Sequence, residues 1–86
     1  MKKVTLDSGL ELEVDVEAMA DMEVVDALSE LDEGNTLAVS KVLKKILTKE
    51  EKQKLYDFYR KDGKVPPIDV VNAFAEMLQK LPEGKN

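Results

Sequence analysis

Carboxylates are the most numerous side chains in this sequence that could take part in chemistry, and 18 residues are Asp or Glu. Histidine and cysteine are both absent, so the usual near-neutral proton carrier and the thiolate nucleophile are missing. The stretch Asp32-Glu33-Gly34-Asn35 has the residue types of a calcium loop but not the ligand spacing of an EF-hand. No two carboxylates stand out as an acid–base pair. We therefore expect a non-enzymatic protein that uses no cofactor and no metal ion.

The basic residues offer a second kind of chemistry, because a row of lysines could contact phosphate groups. This row consists of Lys41, Lys44, Lys45, Lys49 and Lys52. A net charge of −5 opposes DNA binding, and so does a last helix whose only base is Lys80. Residues 1–40 hold two lysines and eleven carboxylates, whereas residues 41–86 hold eleven basic and seven acidic residues. The two halves could attract each other within one molecule, or between copies head to tail.

The stretch from Leu47 to Leu81 has the clearest pattern in the chain, and this pattern predicts two helices with a turn between them. Thr48 and Glu51 form a capping box, in which each side chain can bond the backbone N–H of the other residue. Arg60 and Lys61 are expected in the last turn of this helix. Asp62-Gly63 predicts its end, since glycine accepts a left-handed backbone. Pro66-Pro67 predicts the start of the next helix, because proline fits the first helical position.

The apolar residues of this stretch recur at helical spacing and predict one buried face on each helix. The predicted face of the first helix contains Leu55, Phe58 and Tyr59. The predicted face of the second contains Val70, Val71, Phe74, Met77, Leu78 and Leu81.

The segment before this stretch begins with apolar and polar residues in strict alternation, which indicates strands. Asp7-Ser8-Gly9 separates the two runs and predicts a β-hairpin turn. A two-stranded hairpin is marginal alone in water, so its apolar face must pack on the helices or pair with another chain. We expect packing on its own helices. The predicted inner residues are Val4, Leu6, Leu10, Leu12 and Val14.

Two further helices are predicted between the hairpin and Leu47. The first should run from Glu17 or Met22 to Asp32, with a possible break near Asp21. The second should open at Asn35-Thr36 and reach Leu47. The predicted buried stripe of the first is Val24, Val25, Leu28 and Leu31. That of the second is Val39, Val42, Leu43, Ile46 and Leu47.

These elements predict an α+β fold, in which an N-terminal two-stranded β-hairpin is followed by about four helices in one small, mainly helical domain. We expect the single domain to span residues 1–86, with the hairpin in 1–15, the helices in 16–81 and a frayed tail in 82–86. No apolar run is long enough to cross a membrane, and no apolar segment follows the Met-Lys-Lys start. We therefore expect no membrane partner. The absence of cysteine suits a reducing compartment, and we expect a cytoplasmic location.

A few apolar residues fall off the predicted buried faces or lie at their edges. Flexible methionine and amphipathic tyrosine are favoured at protein-binding surfaces. We predict that these residues contact a protein partner: Met22, Leu37, Tyr56, Val70 and Met77.

Four sequence stretches together resemble a known family, the tail assembly chaperones of long-tailed bacteriophages and related prophages. These stretches are VTLDSGLELEVD, LDEGN, VSKVLKKIL and KEEKQKLYDFYRKDGKVPPIDVVNAFAEML. The resemblance covers nearly the whole chain and is one of pattern, since none of its motifs is catalytic. Thr48 departs from the pattern, because the family would have a glycine between the middle helices.

The resemblance implies a chaperone that binds and solubilises the phage tape measure protein in the host cytoplasm until tail tube subunits polymerise around it. It implies that this chain is similar to the shorter product of a frameshifted gene. It also implies the tail tube protein as a possible second partner, a homo-oligomer, and absence from the mature virion. Two alternatives stay open. One is a small nucleic-acid-linked regulator that uses the lysines of residues 41–52, and the other is a structural phage tail or head protein.

Overall fold

The computed structural model describes residues 1–81 and shows an α+β fold, in which a two-stranded hairpin precedes a mainly helical part. The predicted frayed tail, residues 82–86, lies outside the described residues. The elements, in chain order, are β1 (Lys2–Thr5), β2 (Glu11–Val14), a short 3₁₀ helix (Val16–Ala20), α1 (Met22–Asp32), α2 (Ala38–Ile46), α3 (Lys49–Tyr59) and α4 (Pro67–Lys80).

The hairpin forms as predicted, with β1 antiparallel to β2 and Val4 opposite Leu12. The Leu6 N–H donates to the Leu10 carbonyl at 2.8 Å, which closes the turn. Gly9 has a φ of +97° there, a backbone conformation that glycine adopts without steric cost. All five predicted inner residues are buried against the helices, which confirms that the hairpin packs on its own chain.

Hydrogen bonds from the outer edge of β2 and from the residue after it fix the hairpin to the helices. The Asp15 N–H donates to the Ile46 carbonyl at the end of α2 at 2.8 Å. The Glu13 N–H donates to the Glu51 carboxylate on α3, also at 2.8 Å. Because these N–H groups lie at a strand edge, their bonds also remove donors that another strand could pair with.

The hairpin turn is joined to α4 by a cluster of charged side chains. The Lys80 ammonium donates to the Asp7 carboxylate at 2.9 Å and lies 3.8 Å from Glu76. The Glu76 carboxylate in turn accepts a hydrogen bond from the Asp7 N–H. The hydrogen bond and the charge of Lys80 lower the pKa of Asp7 below its ordinary value of 3.8, and Asp7 raises the pKa of Lys80.

This cluster predicts a pH dependence at the acid end. Because the folded-state pKa of Asp7 is lowered, its contribution to stability is complete above pH 3.8 and is lost as the pH falls below that value. An NMR titration of the side-chain carboxyls should place the Asp7 midpoint below 3.8. Lys80→Met should raise this midpoint, whereas the matched change Lys64→Met should not. An Asp7 midpoint that is the same with and without Lys80 would show that the ion pair is not populated.

An aspartate caps the N-terminus of the 3₁₀ helix, and another caps the N-terminus of α1. Asp15 accepts a hydrogen bond from the Glu17 N–H at the start of the 3₁₀ helix. Asp21 accepts one from the Glu23 N–H at 2.8 Å and starts α1. The extended backbone of Asp21 separates the two helices, which confirms the predicted break.

The predicted buried stripe of α1 is only partly right. Val24 is buried, as is Ala27, which the prediction omitted, while Leu28 and Leu31 are half-buried. Val25 is 44% exposed, so its prediction as a core residue is wrong. The reason is that α1 packs mainly on α2 and the 3₁₀ helix. These two neighbours cover a narrower face of α1 than the one that the four predicted positions occupy.

Helix α2 supplies the centre of the core, and all five of its predicted inner residues are buried. It begins at Ala38 rather than at Asn35-Thr36, and Leu37 at its N-terminus makes no side-chain capping bond. One continuous apolar cluster joins α2 to the hairpin and to the other three α-helices. The hairpin and the helices therefore share a single core.

Helix α3 keeps one half of the predicted capping box. The Glu51 N–H donates to the Thr48 hydroxyl at 3.2 Å, whereas the Glu51 side chain turns to β2 instead of back to Thr48. The helix ends at Tyr59, so the prediction that Arg60 and Lys61 lie in its last turn is wrong.

The predicted inner face of α3 also needs correction. Leu55 is fully buried and Tyr59 is half-buried, but Phe58 is 48% exposed. Phe58 packs its ring edge-on against Tyr59, with 5.0 Å between the ring centroids.

A tight turn connects α3 to α4, as the sequence predicts. Asp62 and Gly63 have φ values of +51° and +79°. Lys61 and Lys64 exchange two backbone hydrogen bonds of 2.7 and 2.9 Å across this turn. Pro67 is the first residue of α4, where its missing N–H leaves no hydrogen bond unmade.

Candidate partner-binding groove

An apolar groove of about 360 Å³ opens at the surface where three helices meet. We call it the α2–α4 groove, because it lies between the start of α2, the end of α3 and the start of α4. Its lining residues are Thr36, Leu37, Val39, Ser40, Tyr56, Arg60, Val65, Pro67 and Val70.

The local structure explains why this groove is open and apolar. Val39 and Val70 are buried residues in the first turns of α2 and α4, and they form the floor of the groove. Leu37 stands at the N-terminus of α2 with 81% of its surface exposed. The half-buried Tyr56 lines the groove from α3. A large side chain as exposed as Leu37 buries little apolar surface on folding and so contributes little to stability. It is therefore available for a contact with another molecule.

The structure brings together three of the five residues predicted to contact a partner, namely Leu37, Tyr56 and Val70. Met22 is also exposed, at 66%, but it lies at the N-terminus of α1, away from the groove. Met77 is fully buried in the core, so the expectation that it lies at the edge of a buried face is wrong. The inner face of α4 meets both β1 and α3, and it is therefore wide enough to enclose Met77.

The charged side chains at the groove belong to α3 and to the residue that follows it. The Arg60 guanidinium lines the groove and donates to Asp57 at 3.0 Å. Hydrogen bonds from Gln53 and then from Arg60 lower the pKa of Asp57. The Lys52 ammonium lies 5.8 Å from the centroid of the Tyr56 ring, within the range of a cation–π contact.

The sequence did not predict that Val65, Pro67 and Ser40 line the groove. Val65 and Pro67 flank the extended residue Pro66, and this segment crosses from α3 to α4 without filling the space beside α2. The Pro-Pro pair was the signal in the sequence, because proline prevents a helix from continuing through these positions.

Three lysines of the row, Lys41, Lys44 and Lys45, lie on a different surface from the α2–α4 groove. Lys45 contacts Glu23 at 2.9 Å and Asp21 at 3.5 Å, and Lys41 lies 3.9 Å from Glu30. Glu23 first, and then Asp21, raise the pKa of Lys45, while the Glu23 N–H is the main cause that lowers the pKa of Asp21. These contacts lie at a groove of about 420 Å³ between α1 and α2 that is lined mainly by charged residues. Phosphate groups would have to compete there with carboxylates of the same chain.

Two further features bear on the kind of site. Within residues 1–81, no group of three or more Asp and Glu residues is arranged to hold a metal ion. None of the helices in the described part of the chain is both long and apolar enough to cross a membrane.

The chain matches no protein-family model, and searches among curated proteins and solved structures find no match to it. The family resemblance therefore depends on the sequence pattern, and the function that it implies is a proposal.

Proposed function

We propose that this protein is a tail assembly chaperone that binds helical segments of the phage tape measure protein. The observation that carries the proposal is the α2–α4 groove, an apolar surface depression next to the 81%-exposed Leu37. Such a groove is suited to the apolar face of an amphipathic helix, whose anchor side chains repeat at three- and four-residue spacing.

The size of the groove fits a chaperone that must release its client. A groove of about 360 Å³ can take only a few anchor side chains, so each copy binds modestly. Many copies along one long helical client would still keep its apolar surface out of water. Tail tube subunits can then replace the copies one at a time as they polymerise.

The rest of the proposal follows from the resemblance. The protein acts in the host cytoplasm as a non-enzymatic binder, similar to the shorter product of a frameshifted gene, and is absent from the mature virion. The tail tube protein is a possible second partner. A structural tail or head protein differs in one respect, since it would remain in purified particles. The α1 carboxylates that contact Lys41 and Lys45 favour protein binding over the nucleic-acid-linked regulator.

Co-expression with the tape measure protein of the same genome tests this function. We expect the tape measure protein to become soluble and to co-purify with several copies of this chain. An unrelated acidic helical protein of similar size is the control for general solubilisation. If the tape measure protein stays insoluble while this chain elutes alone, the proposal is wrong.

A further inference from the structure

We propose that the α2–α4 groove also accepts a second copy of this chain, through two apolar residues exposed on its α1 helix. We call Met22 and Val25 the α1 knob. They are 66% and 44% exposed and lie three residues apart on one face of the helix, where side chains are neighbours. This inference goes beyond the proposed function, because it requires no phage protein.

The two surfaces have complementary shapes, since the knob projects from a helix and the groove is recessed. The knob is a pair of flexible or branched apolar side chains that project from a helix, and a methionine adapts readily to an irregular surface. The groove is a depression with the buried side chains of Val39 and Val70 as its floor. The knob thus presents two anchors of the kind that helix-in-groove recognition uses.

Their charges are also complementary. Asp21, Glu23 and Asp26 surround the knob along the chain, and Lys45 is the only cation that pairs with any of these three within residues 1–81. At the groove, Lys52 lies over the Tyr56 ring, and Arg60 lines the wall while it pairs with Asp57. Lys52 forms no ion pair within residues 1–81. The acidic knob therefore meets a groove with an unpaired lysine at its edge, which favours association.

One chain cannot make this contact with itself. Glu23 at the start of α1 pairs with Lys45 near the end of α2, and Glu30 near the end of α1 pairs with the earlier residue Lys41, so the two helices run antiparallel. The knob lies at the start of α1 and Leu37 at the start of α2, so they are separated by the length of α1. Its 11 residues span about 16 Å at a rise of 1.5 Å per residue. The contact must join two copies.

A knob and a groove on different surfaces of one chain form a heterologous, head-to-tail interface, which builds rings or open chains of subunits. Each copy in a ring, and every copy but one in an open chain, has its groove covered by the α1 helix of a neighbour. A client helix that uses the same groove then has to displace that neighbour, so client binding should shorten the assembly.

Two variants test the interface by complementation. Met22→Ser combined with Val25→Ser removes the knob, and Leu37→Lys places a charge at the groove. All three residues are exposed, so both proteins should fold like the wild type by circular dichroism. In sedimentation equilibrium, the average mass of the wild type should rise with concentration above the monomer value of 9.6 kDa. Each variant alone should associate at least tenfold more weakly.

Mixing the two variants is the decisive step. The knob variant keeps an intact groove and the groove variant keeps an intact knob, so an equimolar mixture should form dimers but nothing larger. The matched control Phe58→Ser, which changes an exposed apolar residue outside both surfaces, should associate like the wild type. A monomeric wild type, variants that still associate fully, or a mixture that stays monomeric would each overturn the proposal. None of these results depends on the tape measure protein, so they leave the proposed function to its own test.

Discussion

Met77→Ala should lower the free energy of unfolding by about 2–5 kcal/mol, the usual cost of truncating a large buried side chain to alanine. Met77 is fully buried, in a core cluster shared by the hairpin and the helices. The change removes apolar contacts and leaves a cavity that the surrounding helices can fill only in part. Urea denaturation followed by circular dichroism measures this loss.

Met22→Ala is the matched control, because it is the same substitution at a methionine that is 66% exposed. We expect its effect to lie within about 0.5 kcal/mol, as for most surface substitutions. The pair of measurements separates two methionines that the sequence pattern predicts to contact a partner in the same way. Equal losses at both positions would contradict the burial described for α4.

Leu37→Lys should weaken binding to the tape measure protein by roughly tenfold or more, which corresponds to about 1.4 kcal/mol. The reason is that the change replaces the most exposed large apolar side chain of the groove with a charge, and bound client would force this charge out of water. Co-expression should then leave most of the tape measure protein insoluble. The fold should be unaffected, because Leu37 makes no capping bond and is exposed.

Phe58→Lys is the control for this prediction. Phe58 is a large exposed apolar residue on α3 that does not line the groove. The control should solubilise the tape measure protein as well as the wild type. Equal losses from both variants would mean that general surface hydrophobicity, and not the groove, holds the client.

Much of the fold could be predicted because local chemistry and hydrophobic period agree along most of the chain. The alternation around Asp7-Ser8-Gly9 has only one low-energy interpretation, a hairpin with glycine at the left-handed position. The same consistency explains the break at Asp21 and the start of α4 at Pro67.

The errors occur where a tertiary contact decides between local alternatives. The Glu51 side chain could cap its own helix or bond the edge of β2, and the position of the hairpin favours the second. Val25 and Phe58 are apolar residues at helical spacing, but the neighbouring elements do not extend far enough to cover them. Periodicity gives the centre of a buried face and not its width.

The groove itself could be predicted only in part. Leu37, Tyr56 and Val70 were each recognised as lying off or at the edge of a buried stripe. Whether these residues lie side by side depends on how α2, α3 and α4 pack. The spacing of apolar residues within one helix does not predict that packing. Met22, like Leu37, falls off the predicted buried face of its helix, but it lies on another surface. The pattern therefore predicts that a residue is exposed more readily than it predicts which other residues lie beside it.

Site-specific photo-crosslinking tests the central claim, that the α2–α4 groove holds the tape measure protein, most directly. A photoreactive amino acid would replace Leu37 in one protein and Phe58 in another, each co-expressed with the tape measure protein. We expect irradiation to crosslink the tape measure protein from position 37 and not from position 58. Crosslinking from position 58 alone, or from neither position while the two proteins co-purify, would contradict the groove as the client site.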